Sequence, residues 1–334
     1  MYPPNYTALA PDAAPARRRP GFTSGRRTFS VNSYPMRRRR FLATTGALAL
    51  GSTFSPLLAR TRPLIPEVHL IRNNVGYFTD RGGTIGFFRP DGGVGGVVVD
   101  SQFPEQASAF LTEVFEAYKE LDLLINTHHH GDHTGGNGIV APLARAYVSH
   151  ERAKLNLQVN EAKRTEGEAV PLPDTTFADE WSMALPGSTE TVTARHFGAA
   201  HTGGDAVIHF ENANVAHLGD LLFNRRFPYI DPGAGGNMTN WISVLRKIRK
   251  TYDRDTVFIF GHAAESYPVT GDRADVKSFE DYLLALRDYV KTEKRKGTSL
   301  EALKQKTVTI PNAPEWRFGE RLRDVNLEVM YSEV

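Results

Sequence analysis

The stretch Thr127-His128-His129-His130-Gly131-Asp132-His133 is the most informative part of the 334-residue chain. It directly follows Leu123–Asn126, an apolar run typical of a buried strand. Neutral imidazole is a strong ligand for zinc and similar metals, and carboxylate suits harder ions. Four potential ligands in six residues, in a chain with eleven histidines, make a chance cluster improbable. The stretch therefore predicts a metal site at the end of a strand.

The spacing within this stretch predicts which side chains act together. A loop at a strand end can aim alternate side chains to one side, so His128 and His130 could share one ion. His129 would then point away, and Asp132 and His133 would reach a second ion. The glycines at 135 and 136 would let the backbone turn tightly beneath the metals.

The remainder of residues 63–334 alternates short apolar runs with longer amphipathic ones. The short runs are β-branched or aromatic and are separated by turn signals such as Asn73-Asn74, which predicts strands and hairpins. Helices are predicted at 104–121, 138–145, 150–164, 237–252 and 274–296. Nothing after residue 66 resembles a linker, so we predict one domain with strands in the middle and helices outside. Strands are predicted at 68–72, 75–79, 84–89, 94–100, 123–126, 146–149, 192–197, 206–210, 215–218 and 257–260, and a surface loop at 165–179.

Three later segments also place a possible metal ligand after a predicted strand. They are His201-Thr202-Gly203-Gly204-Asp205, Leu218-Gly219-Asp220 and Gly261-His262. With residues 128–133, which match an HxHxDH pattern, these ordered motifs resemble those of the metallo-β-lactamase superfamily. The resemblance covers nearly all of residues 63–334. It implies an α+β fold, the four-layer αββα sandwich, with two sheets back to back and metals at one sheet edge.

The resemblance also implies an enzyme, a metallo-hydrolase with two zinc ions, although iron or manganese could replace zinc. A hydroxide bridging the ions would be the nucleophile, since zinc lowers the pKa of water from 15.7 to about 7. Asp132 would be catalytic as well as a ligand, because it could orient that hydroxide. The ligands implied are His128, His130 and His201 for one ion, Asp132, His133 and His262 for the other, and Asp220 as the bridge between them.

The substrate is less constrained, because this fold serves many reactions. We expect a small-molecule substrate with an ester, thioester, lactone or similar bond. A class B3-like β-lactamase is one alternative, but that subclass typically lacks the bridging aspartate, so Asp220 favours the general hydrolases. An iron-dependent redox member of the fold and a non-catalytic metal-binding protein are the others. The loop beyond Asp220 offers Tyr229, Asp231 and Asn237 as candidate substrate contacts.

One carboxylate near these motifs has two open interpretations. Asp205 could orient a ligand histidine through its free ring nitrogen, as carboxylates near metal sites do. It could equally form a turn at the entry to the next strand.

Composition excludes several other classes of protein. The chain has no cysteine, which excludes disulfides, thiolate catalysis and cysteine-ligated metals. The net charge of +2 is unevenly distributed, because residues 1–62 hold eleven of the 40 basic side chains and one of the 38 acidic ones. Residues 63–334 therefore carry 29 basic and 37 acidic side chains, a formal charge of −8, which argues against nucleic-acid binding.

The N-terminal residues 1–62 are predicted to be a disordered leader. Within them, residues 36–62 resemble a twin-arginine export signal, with Arg38-Arg39 as the pair and a weakly apolar run from Ala43 to Leu50. Glycine and proline interrupt the apolar run, so no stable membrane span is expected in the mature protein. The expected partner is the twin-arginine export machinery and the expected location periplasmic or secreted. The segment 219–231 resembles an exported branch of the superfamily.

Overall fold

The computed structural model describes residues 67–116, 120–165 and 169–334, with every side chain in them except that of Glu320. The predicted leader, residues 1–62, lies outside the described residues. The strands are β1 (Glu67–Arg72), β2 (Val75–Thr79), β3 (Ile85–Phe88), β4 (Val97–Val99), β5 (Leu121–Ile125), β6 (Ala144–His150), β7 (Thr175–Phe177), β8 (Glu180–Ala184), β9 (Thr191–Arg195), β10 (Val207–Phe210), β11 (Val215–His217), β12 (Phe223–Asn224), β13 (Val257–Ile259), β14 (His262–Ala263) and β15 (Thr270–Gly271). The α-helices are α1 (Pro104–Phe115), α2 (Gly131–Thr134), α3 (Asn137–Val140), α4 (Glu151–Ala162), α5 (Met238–Thr251), α6 (Arg273–Arg295), α7 (Leu300–Lys306) and α8 (Glu320–Glu333).

The first seven strands form one mixed sheet in sequence order. Strands β1 to β4 are antiparallel, as their short turns require, and β4 to β7 are parallel. Because parallel strands are covered on both faces, β5 is apolar along almost its whole length, and all five of its residues are buried.

Six later strands form the second sheet in the order β15-β13-β11-β10-β9-β8. Strands β11 and β13 run parallel and the remaining pairs are antiparallel. The short strands β12 and β14 form a separate parallel pair.

Alternation along β4 shows how the layers are arranged. Val97 and Val99 point into a core shared with Val192, Ile208 and other residues of the second sheet. Val98 points the other way, into a core shared with helices α1 and α3. The outer face of the second sheet packs against α5, α6 and α8. The order helix, sheet, sheet, helix confirms the predicted four-layer α+β sandwich.

The structure differs from the prediction at several elements. The predicted surface loop at 165–179 contains β7, a three-residue edge strand in which only Phe177 is buried. Helix α1 ends at Phe115 and does not reach residue 121, which begins β5. Strands β8, β12, β14 and β15 and helices α2, α7 and α8 were not predicted. Across the described ranges, we find no helix with the length and hydropathy to cross a membrane.

Candidate metal centre

The seven predicted ligands come from four connections between strands of the sandwich. His128 and His130 lie in the loop after β5, and the short helix α2 carries Asp132 and His133. The other three side chains follow later strands. His201 lies between β9 and β10, Asp220 follows β11, and His262 begins β14. The structure brings all seven together in two adjoining groups, although nearly half the described chain separates the first from the last.

The first group consists of three imidazoles that face one another. His130 Nδ1 lies 3.1 Å from His128 Nε2 and 2.8 Å from His201 Nε2. Nitrogens that share a tetrahedral zinc ion, each about 2 Å from it, lie roughly 3.3 Å apart. The three ring nitrogens could therefore hold one ion with little movement.

The second group consists of His133, His262 and Asp132, and Asp220 lies between the two groups. His262 Nε2 is 3.1 Å from Asp132 Oδ2 and 3.5 Å from Asp220 Oδ1. His133 Nε2 is 3.0 Å from the same Asp220 oxygen. The other oxygen, Asp220 Oδ2, lies 3.4 Å from His201 Nε2 in the first group. One carboxylate thus faces both groups, one oxygen to each.

Comparison with known families agrees with this geometry. A sequence model of the metallo-beta-lactamase superfamily matches residues 79–262, more than half of the chain. The chain belongs to the metallo-beta-lactamase superfamily. It is therefore a metal-binding hydrolase, as the sequence motifs predicted.

Several individual proteins are similar to this superfamily member. Hydroxyacylglutathione hydrolases from two Synechococcus strains are each 27% identical over 190 and 187 residues, which is 55% of this chain and 68% of theirs. A metallo-beta-lactamase from Pontibacter korlensis has a TM-score of 0.50 at 18% identity, over 66% of this chain and 99% of its own. A stereoselective inverting sec-alkylsulfatase from Pseudomonas sp. has a TM-score of 0.61 at 12% identity, over 80% of this chain and 50% of its own. The two structural likenesses show a shared fold.

The residues of this superfamily member fit metal ions. His133 Nε2 and Asp220 Oδ1 are buried 3.0 Å apart but are not aligned for a hydrogen bond, and neither has another hydrogen-bond partner within the described part of the chain, which is costly unless a cation completes the site. Glycines leave room around both atoms: a Cβ on Gly83 would collide with the His133 ring, and one on Gly261 with Asp220 Oδ1. Imidazole and carboxylate together suit zinc, iron and manganese.

Two histidines are oriented by a carboxylate that sequence reasoning missed. The fully buried Asp100 follows β4 and accepts a 2.7 Å hydrogen bond from His133 Nδ1 and another from Thr127 Oγ1. Thr127 Oγ1 in turn lies 3.1 Å from His128 Nδ1. Asp100 therefore fixes the outward-facing nitrogens of one histidine in each group, which turns the Nε2 atoms inward.

The loop after β12 orients the other two histidines of the first group. The Tyr229 carbonyl accepts a 2.8 Å hydrogen bond from His201 Nδ1. Asp231 Oδ2 accepts a 3.0 Å bond from His130 Nε2, and Asp231 Oδ1 accepts one from the Ala234 N–H. Residues 229–231 thus orient the rings of His201 and His130 through hydrogen bonds.

The three predicted substrate contacts lie in different surroundings. The Tyr229 ring is partly exposed at the cavity above the metal centre. Asp231 binds His130 from the side away from His128 and His201. The Asn237 side chain accepts from the Asn240 N–H and caps α5.

Asp205, left open by the sequence, forms a turn. Its carboxylate accepts hydrogen bonds from the N–H and the hydroxyl of Thr202, at 2.8 and 2.6 Å. Burial raises the pKa of Asp205 to about 7. This turn holds the loop that carries His201.

Burial and neighbouring charges together set the pKa values of the candidate ligands. Burial lowers the pKa of His201 to about 3, so its ring is neutral and free to bind a cation. Burial also lowers the pKa of His133, but Asp220, Asp100 and Asp132 outweigh it and raise that pKa well above its usual value. Burial raises the pKa of Asp132, but His133 and His262 outweigh it and hold the value at about 2. Without metal, the second group therefore holds a proton that an ion would displace.

A cavity of about 410 Å³ opens above both groups. Its floor includes His130, Asp132, Asp220 and His262, and its apolar wall includes Phe223 and Leu322. Leu322 comes from α8, so an element absent from the sequence prediction helps to shape the site. The volume is suited to a small molecule.

Proposed function

We propose that this protein is a dinuclear zinc hydrolase that cleaves a small ester or thioester. The observation that carries the proposal is Asp220, whose two carboxylate oxygens face two separate groups of ligands 3.0 to 3.5 Å away. A carboxylate placed in this way is suited to bridge two cations. His128, His130 and His201 would hold one ion, and Asp132, His133 and His262 the other.

The chain's own residues would position and activate the attacking water. Two bound zinc ions supply Lewis acidity at the scissile carbonyl and lower the pKa of water from 15.7 to about 7. Asp132 is ionised at neutral pH, because His133 and His262 hold its pKa at about 2. Its free oxygen would accept a hydrogen bond from the attacking water and orient it. Phe223 and Leu322 line the cavity and would pack against the apolar part of the substrate.

A thioester is the first substrate class to test. The hydroxyacylglutathione hydrolases that resemble the chain are named for an acylated thiol, and at 27% identity they support this class without naming the acyl group. Lactones and oxygen esters share the same carbonyl chemistry.

The test is a substrate panel on zinc-reconstituted protein, covering ester, thioester, lactone, lactam and phosphodiester bonds. We expect hydrolysis of an ester or thioester. Its rate should fall at least 100-fold in Asp132→Ala and in His130→Ala, while the circular dichroism spectrum stays unchanged. Asp91→Ala, which removes an exposed carboxylate, is the matched control and should keep full activity. Near-normal turnover in either of the first two variants would contradict the proposal.

The same panel, together with an analysis of the bound metal, distinguishes the alternatives. Preferential lactam hydrolysis would indicate a class B3-like β-lactamase. Protein from its native host that contained stoichiometric iron and little zinc would indicate the redox alternative. A panel with no turnover at all would indicate a non-catalytic metal-binding protein.

The proposed location is the periplasm or the exterior, reached through the twin-arginine machinery. Support comes from Arg38-Arg39 and the weakly apolar run behind them. A reporter fused to residues 36–62 should leave the cytoplasm, and the change of both arginines to lysine should retain it there. Retention of the unchanged fusion would contradict the proposal.

A further inference from the structure

Two cavities beside the metal centre share one cationic side chain. Arg226 lines the 410 Å³ cavity above the centre and also a second cavity of about 250 Å³. His262 lines both cavities as well, so Arg226 lies beside the second group of candidate ligands. Among the described residues that line the larger cavity, Arg226 is the only lysine or arginine.

The backbone of Arg226 is held in place by a remote segment of the chain. Arg226 forms a β-bridge with Phe318, and the next N–H, that of Phe227, donates a 3.0 Å hydrogen bond to the Phe318 carbonyl. The preceding Arg225 has a φ of 58° and directs its guanidinium over the Trp316 ring, 4.5 Å from the centroid. The two neighbouring arginines therefore have different roles, one in packing and one at the cavity.

The Arg226 guanidinium makes no hydrogen bond and no ion pair within residues 67–116, 120–165 and 169–334. By contrast, Arg145, Arg164, Arg195 and Arg246 each contact a carboxylate at 2.6 to 3.2 Å. A half-buried guanidinium with five donors and no partner is available to bind an anion that enters the cavity.

The charge of the loaded cavity favours an anion. Asp132 and Asp220 are the acidic side chains among its lining residues, and both would face the two divalent ions of the proposed centre. Four positive charges then outweigh the three negative charges of the two carboxylates and the nucleophilic hydroxide, and Arg226 adds a fifth positive charge. A negatively charged substrate would be drawn into this cavity electrostatically.

We propose that Arg226 binds a carboxylate group of the substrate, so that the natural substrate is a small ester or thioester that carries a free carboxylate. The planar guanidinium matches a carboxylate with two parallel hydrogen bonds. The segment between carboxylate and scissile bond lies along Phe223, Tyr229 and Leu322. This inference rests on the proposed function and adds a substrate class to it.

The test compares 4-nitrophenyl hemisuccinate with its neutral methyl ester on zinc-reconstituted full-length protein. Arg226→Met should raise KM for the hemisuccinate 10- to 100-fold with kcat nearly unchanged, and should change KM for the methyl ester less than 2-fold. Arg226→Lys should recover part of the loss, since it restores the charge without the planar fork. Arg254→Met, which removes an exposed arginine that lines neither cavity, is the matched control and should leave both KM values unchanged.

The inference is overturned if Arg226→Met leaves KM for the hemisuccinate unchanged or raises both KM values equally. Hydrolysis of neither ester would count against the proposed function, and the anion site is then tested by calorimetric titration of the zinc-loaded protein with succinate. Binding to the wild type that weakens at least 10-fold in Arg226→Met retains the inference. Equal binding to both proteins, or no binding to either, rejects it.

Discussion

At the scale of single residues, the first group of candidate ligands depends on where each imidazole keeps its proton. His201 donates from Nδ1 to a carbonyl, and His130 donates from Nε2 to Asp231. Each donation leaves the opposite nitrogen, the one that faces the other rings, with a free lone pair. The tautomers needed for metal binding are thus set by hydrogen bonds on the outside of the cluster.

Asp231→Asn should disturb this tautomer without removing a ligand. If the new amide oxygen keeps the hydrogen bond from Ala234, its NH₂ group faces the N–H of His130, and two donors meet. His130 can relieve the conflict by moving its proton to Nδ1, the atom that faces His128 and His201. We expect zinc affinity at the first group to fall about 10- to 100-fold, measured by competition with a chelating dye.

The control for that change is Asp91→Asn, which removes an exposed carboxylate far from the centre in sequence. It should bind two zinc ions as the wild type does. Unchanged zinc affinity in Asp231→Asn would show that Asp231 does not position His130.

The sequence predicted the residues that the structure brings together, but it missed Asp100 and named Tyr229 and Asp231 only as substrate contacts, not as the groups that orient two histidines. The seven candidate ligands were recognisable because each belongs to a short local motif. Asp100 contacts His133 across 33 positions, and its only local signal is that it follows an apolar strand, as Asp220 does. Arg226 carries no such signal, since its orientation depends on the remote Phe318.

At the scale of elements, long periodic segments were predicted well and short polar ones were not. Helices α5 and α6 lie within one residue of prediction, because each has a strong apolar face and an Asn or Asp cap. Strand β8 alternates exposed and half-buried residues at a sheet edge, so its apolar signal is weak. Helix α8 follows a polar, proline-containing stretch and is recognisable mainly from its packing against α6.

Helix α8 is tied to the site through one buried amide. Asn326 accepts a 2.6 Å hydrogen bond from the Tyr282 hydroxyl on α6 and donates one of 2.6 Å to the carbonyl of Pro228. Pro228 immediately precedes the residues that support His201 and His130. Asn326→Ala leaves two buried polar groups unpaired, so the free energy of unfolding should fall by about 2 to 4 kcal/mol in urea denaturation.

Asn160→Ala, at an exposed position of α4, provides the comparison for that measurement. It should change the free energy of unfolding by no more than about 0.5 kcal/mol. A similar small change for Asn326→Ala would mean that the amide does not link α8 to the loop.

Helix α4 is capped by His150, whose ring must be neutral to accept the capping hydrogen bond. His150 Nδ1 accepts a hydrogen bond from the Arg152 N–H, and Nε2 donates to the Ala178 carbonyl. Its ring stacks on His196 with centroids 4.0 Å apart. Burial, with a smaller contribution from His196, lowers the pKa of His150 to about 4, although the hydrogen bond to the Ala178 carbonyl opposes this shift.

This cap predicts a loss of stability in mild acid. Because the folded-state pKa of about 4 lies below the unfolded value of 6.5, the unfolded chain binds more protons between them. Neutral His150 therefore contributes fully to the free energy of unfolding above pH 6.5. This contribution is lost as the pH falls towards 4, and it amounts to about 2 kcal/mol after allowance for screening by solvent. His150→Asn keeps a cap acceptor but cannot titrate, so wild type should lose more stability than this variant over that range.

Metal-free protein is required for the comparison, because metal affinity also depends on pH. His69→Asn, which removes an exposed imidazole from β1, controls for the loss of a histidine. Parallel curves of unfolding free energy against pH for wild type and His150→Asn would contradict the prediction.

At the scale of the whole molecule, the sandwich explains why ligands from residues 128 to 262 can meet. Strands β5, β11 and β13 each end at the same edge, and each is followed at once by a candidate ligand loop. The valines of β4 point alternately into two cores, one on each face of the first sheet, so packing supports the sheet from both sides. The fold class was therefore predictable from the order of motifs, whereas the C-terminal wall of the cavity was not.

The measurement that tests the central claim most directly is the metal content of the folded protein after incubation with excess zinc and removal of free ion. Elemental analysis by mass spectrometry should give about two zinc ions per chain, and Asp220→Ala should retain at most one. Folded wild-type protein that keeps only a trace of zinc, iron or manganese under these conditions would contradict the account.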